Sequence, residues 1–152
     1  MREPTRRTVP AAALIALVVS LLPASAAQAQ SIADYQRQAR VVTNDKRADH
    51  DVAALKKRTC LQKFARGHAI DMAAKDLAFH QDLNVVMEEC DLQIAAENVA
   101  VAHSSGRAAV RWWMKSPLHR SNLLDEDYTL FGTAVRKSDD GTPYAVQVFG
   151  HG

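Results

Sequence analysis

Cysteine is scarce in this sequence, with two residues, Cys60 and Cys90, in 152. Neither has a second cysteine at the short spacing typical of structural zinc sites, so a cysteine-based metal site is not expected. In an oxidising compartment, an even pair of cysteines most simply forms one disulfide. A Cys60–Cys90 bridge closes a loop of about 30 residues and stabilises the fold by roughly 3.5 kcal/mol on the chain-entropy model. It also removes any thiol nucleophile.

The sequence also lacks an apolar run long enough to cross a membrane. The run from Ala11 to Leu22 has 12 residues, whereas a membrane-spanning helix needs about 20. This run follows a head with three arginines and precedes a small-residue tail, an order typical of a secretory signal peptide. We predict a signal peptide over residues 1–29, cleaved after Ala29, and a secreted chain without a transmembrane anchor. Cleavage after Ala26 is the alternative.

Neither sign of charge is in excess once the leader is set aside. The leader holds three of the 19 basic residues and one of the 17 acidic residues, so 16 of each remain. The one basic run, Lys56-Lys57-Arg58, is interpreted as a solvated loop. Because Lys and Arg are not clustered with interleaved aromatics, no nucleic-acid partner is expected. The remaining residues, 30–152, fit one domain.

Familiar catalytic motifs are missing as well. The sequence contains no H-E-x-x-H, no G-x-S-x-G and no phosphate-binding loop. Ser116 and Ser121 lie close to His119 in the chain, but no third residue is visible that would orient the histidine toward either hydroxyl. We therefore predict no catalytic residue, and a non-enzymatic role is favoured.

The order of predicted elements indicates an α+β fold. Apolar residues recur at helical spacing from Thr59 to about Ala78, where Thr59 and Gln62 match a capping box. His68 lies on the apolar face of this helix and is interpreted as a hydrogen-bonded core residue rather than a ligand. Strand-like segments over 129–135 and 144–149 flank the turn dipeptide Asp140-Gly141, which predicts a β-hairpin.

Two residues stand out as candidates for a site. Glu97 is an acid within the apolar run 94–102, and a buried carboxylate needs a partner. Ser116-Pro117 predicts a helix N-terminus with serine as the cap. His119 then occupies the third helical position, where the helix dipole favours a neutral imidazole. Of the two neighbouring tryptophans, one is expected in the core and the other nearer the surface.

Three strings together resemble the CAP superfamily of cysteine-rich secretory, antigen 5 and pathogenesis-related proteins. They are Phe79-His80, the Glu97-Asn98 pair, and W-M-x-S-P-x-H-R-x-N-L-L from Trp113 to Leu124. The similarity covers about residues 44–150 and is closest to compact bacterial members. It implies an α-β-α sandwich with Trp113, the tryptophan at the family position, in the core.

The resemblance also implies a cleft. In this family the cleft is lined by two His and two Glu, and some members hold a divalent metal there. His80, Glu97 and His119 match three of these positions, and Ser116 stands at the fourth, where a carboxylate is lost. Zinc or another divalent metal on His80, Glu97 and His119 is one interpretation of the cluster. A metal-free hydrogen-bonded network that holds the layers together is the other.

The function implied by the resemblance is binding. The expected ligand is a lipid, a sterol or a component of the cell envelope, and the expected location is extracellular. Two alternatives remain: a metal-assisted hydrolase of extracellular substrates, and an envelope interaction protein whose cluster is purely structural.

Overall fold

A computed structural model describes residues 31–152, so the predicted signal peptide at 1–29 lies outside the described residues. Within the described range no helix combines the length and the apolar composition needed to cross a bilayer. The chain forms five helices and four strands there: α1 (Ile32–Ala48), β1 (Lys56–Lys57), α2 (Thr59–Lys75), α3 (Leu83–Cys90), β2 (Ile94–Val101), α4 (Gly106–Trp113), α5 (Pro117–Leu124), β3 (Leu130–Lys137) and β4 (Pro143–His151).

The four strands form one mixed sheet in the order β1-β3-β4-β2. Strands β3 and β4 pair antiparallel from Leu130 opposite Gly150 to Lys137 opposite Pro143, which confirms the predicted hairpin. Strand β2 pairs antiparallel with β4 along its whole length. The two-residue β1 pairs parallel with β3, so the segment that was predicted to be a loop contributes a short edge strand.

Helices cover both faces of the sheet, and the predicted α-β-α sandwich is confirmed. On one face, α2 packs on β3 and β4 around a cluster that includes Leu61, Met72 and Val146. On the other face, a second cluster joins α1, α4 and α5 to the sheet and includes Trp113 and Phe149. The side chains alternate between these clusters along each strand, as the pleat requires.

Two glycines permit the closest contacts between elements. A Cβ on Gly132 of β3 would lie 2.2 Å from the Leu61 carbonyl carbon, and a Cβ on Gly106 of α4 would lie 2.1 Å from the Tyr35 carbonyl oxygen. Since real Cβ atoms do not approach backbone so closely, any larger residue would force α2 off the sheet or α4 off α1.

The predicted Cys60–Cys90 disulfide is present, with the two Cα atoms 5.6 Å apart. It links the first turn of α2 to the end of α3. The predicted capping box beside it is wrong. Helix α2 begins with Arg58 at the N-cap and has no side-chain cap. Gln62 instead bonds across the layer boundary, donating to the Thr133 carbonyl at 2.6 Å and accepting from the Thr133 N–H at 3.3 Å, so its side chain pairs with the strand backbone rather than with the helix start.

Candidate functional site

Glu97 is the buried centre of the site, with a side chain only 1% exposed. One carboxylate oxygen accepts from His80 Nδ1 at 2.8 Å and from the Gln81 backbone N–H at 3.3 Å. The other oxygen accepts from the Gln81 side-chain amide. Three donors satisfy the carboxylate in an apolar setting, so the partner that the sequence required is found.

Two neighbours of Glu97, Gln81 and His68, were not predicted as part of the site. Gln81 had no signal beyond its position next to His80. His68 is the hydrogen-bonded core residue that was predicted, since its Nε2 lies 2.7 Å from the Phe79 carbonyl oxygen. The same nitrogen also lies 3.7 Å from the Glu97 carboxylate. Glu97 therefore lies between two imidazoles, one buried and one 58% exposed.

The outer edge of β2 is held by two side chains from the Trp113–Leu124 segment. Trp113 donates its indole N–H to the Val99 carbonyl at 2.9 Å, and Asn122 donates to the Glu97 carbonyl at 3.3 Å. Asn98 donates to the His119 carbonyl at 3.0 Å, and its own side-chain oxygen accepts from Asn122 at 3.0 Å. These bonds fix α5, and with it His119, against the strand that carries Glu97.

The imidazole of His119 stacks beside Trp112, with ring centroids 5.0 Å apart, and Trp112 lies 5.2 Å from the ring of His103. Burial lowers the pKa of His119, and the nearby charge of His80 lowers it further. The lowered pKa agrees in direction with the predicted neutral imidazole, although burial rather than the helix dipole is the main cause of the shift. Burial also lowers the pKa of His103, a residue that the sequence analysis did not single out.

His80 and His119 come from opposite faces of the sheet. His80 lies in the loop between α2 and α3, whereas His119 lies on α5. Both flank the edge strand β2, and they are near enough for the charge of His80 to lower the pKa of His119. Ala78 of the α2–α3 loop and His119 line one open cavity of about 450 Å³, together with residues of β2 and Trp112. The cavity is predominantly apolar and has the size of a small-molecule site.

Ser116 lies at the N-cap of α5 with extended backbone, and Pro117 follows it as predicted. Its side chain, however, makes no capping hydrogen bond, so the predicted capping role is only half right: the residue holds the position without the bond. The backbone N–H of Ser116 donates to the Trp113 carbonyl in a tight turn out of α4. Ser121 donates its hydroxyl to the Leu118 carbonyl at 2.7 Å.

Fewer side chains are available to bind a divalent metal than the sequence predicted. Among residues 31–152, no group of three or more His, Cys, Asp or Glu side chains is placed to hold a metal ion. Both carboxylate oxygens of Glu97 already accept hydrogen bonds, and one of these bonds orients the His80 ring. Carboxylates often orient metal-bound histidines in this way. The exposed His80 ring keeps its other nitrogen, and His119 Nδ1 is buried without a hydrogen-bond partner in this part of the chain. Two imidazoles therefore remain as candidate ligands.

Comparison with known proteins agrees with this architecture. The model of the cysteine-rich secretory protein (CAP) family matches residues 41–149. An uncharacterized membrane protein of Bacillus subtilis, YlbC, is 36% identical over 101 residues, which cover 62% of this chain and 29% of that protein.

Two bacterial crystal structures are similar as well. An extracellular protein with an SCP domain from Bacillus anthracis has a TM-score of 0.67 and 30% identity, covering 78% of this chain and 40% of its own. A cysteine-rich secretory protein from Staphylococcus aureus has a TM-score of 0.70 and 23% identity, covering 81% of this chain and 40% of its own. This chain therefore spans less than half the length of each of these three relatives.

Proposed function

The chain belongs to the cysteine-rich secretory protein family, and from this membership we propose that it is a secreted, non-enzymatic binding module. Its ligand is an apolar molecule of the lipid, sterol or cell-envelope class. The observation that carries this proposal is the open cavity beside His119, which is lined mainly by apolar atoms and bordered by Trp112.

The chemistry of the cavity suits binding. Trp112 is 41% exposed, and an accessible indole on the wall of an apolar cavity offers a large contact area at little entropic cost. Its stacking between His103 and His119 holds the ring in place before a ligand arrives. Preorganised apolar sites bind more tightly because less freedom is lost on association.

The hydroxyl groups near the cavity argue against hydrolysis. Catalysis by serine requires a base within hydrogen-bond reach of the hydroxyl. Within residues 31–152, neither Ser116 nor Ser121 makes a hydrogen bond to an imidazole, and the Ser121 hydroxyl is occupied by the Leu118 carbonyl. His80, in turn, is engaged by Glu97. The cluster is therefore assigned to binding and to holding the layers together.

The binding proposal is tested with a dansyl-labelled long-chain fatty acid as the probe. Wild-type protein should bind it saturably, and Trp112→Ala should weaken binding about tenfold or more, since a buried aromatic contact contributes about 1.5–3 kcal/mol. Val41→Ala on α1 removes an exposed apolar side chain elsewhere and serves as the control. Turnover of a broad ester panel, or equal binding by both variants, would show that the proposal is wrong.

A divalent metal is included in the proposal as an accessory held by His80 and His119. Zinc bound there would supply a Lewis-acidic position for a polar ligand group. Calorimetric titration with zinc should show binding by wild type that is lost in His119→Ala and kept in His50→Ala, an exposed histidine. Affinity should fall as the pH drops below about 6.5, because the imidazoles must be deprotonated and the pKa of His119 lies below that value. Equal, weak binding by all three proteins would exclude the metal and leave the apolar cavity untouched.

A further inference from the structure

A second cavity of about 460 Å³ lies at the β1 edge of the sheet, the edge opposite to β2. Its walls come from α1 and α2, and its floor comes from β1 and the end of β3. Four cationic residues line it: Arg40, Lys57, Arg66 and Arg136. We call this cavity the basic groove.

The positive charge of the basic groove is not balanced by acidic residues in its lining: of the described residues, 31–152, no Asp or Glu lines the basic groove. Among the ion pairs of residues 31–152, which include Asp34–Arg37 and Lys46–Asp49, none involves any of the four cations. Residues 30–152 carry equal numbers of acidic and basic residues, so this concentration of positive charge is local. Like charges around one concavity raise its potential and attract anions.

The four cations surround the groove. Arg40 lies on α1 and Arg66 on α2, helices on opposite faces of the sheet, while Lys57 and Arg136 lie on neighbouring strands between them. From Ile32 to Arg40 the α1 wall spans about 12 Å at the helical rise. A small anion can neutralise only part of this arrangement, whereas an extended ligand with several anionic groups can contact all of it.

We propose that the basic groove binds a linear polyanion that carries phosphate groups. Three of the four cations are arginines, whose planar guanidinium groups bind phosphate oxygens in pairs. Ile32 and Ile70 are 40% and 41% exposed on the groove walls and would contact the backbone of such a polymer. A flat anionic bilayer fits less well, because these residues line a concavity rather than project from it.

Isothermal titration with long-chain inorganic polyphosphate, using the secreted protein, tests this proposal. Wild type should bind saturably, and binding should weaken as salt rises because the cations are exposed and screened. The double variant Arg40→Gln/Arg66→Gln should bind about tenfold more weakly. The double variant Arg107→Gln/Arg111→Gln on α4 removes the same charge from exposed positions outside the groove and should bind like wild type.

A second variant and a pH series make the result decisive. If Arg40→Gln/Arg66→Gln has a lower melting temperature than wild type, Lys57→Gln/Arg136→Gln replaces it and should show the same loss of binding. Binding should be unchanged between about pH 6 and 8, where Arg and Lys keep their charge, which separates this site from the histidine cluster. Equal loss in the α4 variant, equal affinity for polyglutamate, or binding to phosphatidylglycerol vesicles without binding to polyphosphate would overturn the proposal.

Discussion

The Arg47 guanidinium donates to the Leu123 carbonyl at 3.0 Å, across 76 residues of chain. Leu123 lies in the last turn of α5, the helix that carries His119. Arg47 is 1% exposed and also donates to the carbonyls of Ala53, Asp125 and Tyr128. One side chain at the end of α1 therefore ties together two loops, α1–β1 and α5–β3, and fixes the C-terminal end of α5.

We predict that Arg47→Met destabilises the protein by about 3 kcal/mol or more. Four buried or half-buried carbonyls would lose a charged donor, and each unsatisfied group costs about 1–3 kcal/mol. Urea denaturation measures the effect. Arg37→Met is the control, because Arg37 makes only an exposed ion pair with Asp34 worth about 0–1 kcal/mol. Comparable losses in both variants would contradict the role given to Arg47.

The two neighbouring tryptophans should behave differently. Trp113 is 1% exposed and donates to Val99, so Trp113→Phe should lower the free energy of unfolding by about 1–3 kcal/mol through the lost hydrogen bond and volume. Trp112→Phe keeps a ring at an exposed position and should change stability by about 0.5 kcal/mol or less. Thermal melts of both variants check this, and a larger loss in Trp112→Phe would reverse the assignment.

Ser116 and Ser105 provide a matched comparison of helix caps. Ser105 accepts from the Ala108 backbone N–H at 3.1 Å at the start of α4, and Ser105→Ala should cost about 1 kcal/mol. Ser116 holds the corresponding position at the start of α5 without that bond, so Ser116→Ala should cost clearly less. Chemical denaturation of the two variants distinguishes them, and an equal cost would mean that Ser116 does cap α5.

Stability should depend on pH through His119 and His103. Burial lowers the pKa of both below the ordinary value of 6.5. As the pH falls below about 6.5, the unfolded chain takes up protons that the folded state resists, so the free energy of unfolding decreases. The decrease ends once both are protonated in the folded protein as well.

The measurement is urea denaturation at several values between about pH 7.5 and 5, around the histidine range. His119→Asn should show a shallower decrease than wild type, because one of the two imidazoles with a lowered pKa is removed. Wild-type stability that stays constant or rises on acidification would contradict the burial of these rings.

The disulfide should contribute to stability by restricting the unfolded chain. The bridge spans 30 residues, and its loss in Cys60→Ser/Cys90→Ser should cost roughly 3.5 kcal/mol. Intact mass under non-reducing conditions should be two hydrogens below the dithiol form, since each disulfide removes two. Alkylation of both cysteines without reduction would disprove the bridge in solution.

Local chemistry in the sequence predicted the parts of the fold that depend on neighbouring residues. The Asp140-Gly141 turn specified the hairpin, and an acid inside an apolar run required a buried partner for Glu97. The parts that were missed depend on how the layers are placed. His68 contacts Glu97 only because α2 packs over β3 and β4 with its His68 face turned toward the sheet, and no spacing along the chain encodes this contact.

Competition between local and distant partners explains the remaining errors. Gln62 had a local role available at the start of α2, but the strand backbone at Thr133 offered a better-placed acceptor. The Lys56-Lys57 segment is too short to show a strand pattern, and it becomes a strand only because β3 lies beside it. In both cases tertiary structure outweighs the local preference.

The side chains on the outer edge of β2 have a consequence for association between copies of the chain. An edge strand with free carbonyls can recruit a strand from another molecule and start ordered aggregation. Here the outward carbonyls of Glu97 and Val99 are already occupied by Asn122 and Trp113. The residues that hold α5 in place thereby also leave fewer free acceptors on this edge for a strand of a second copy. At high protein concentration, the same two bonds should slow fibril growth from this edge.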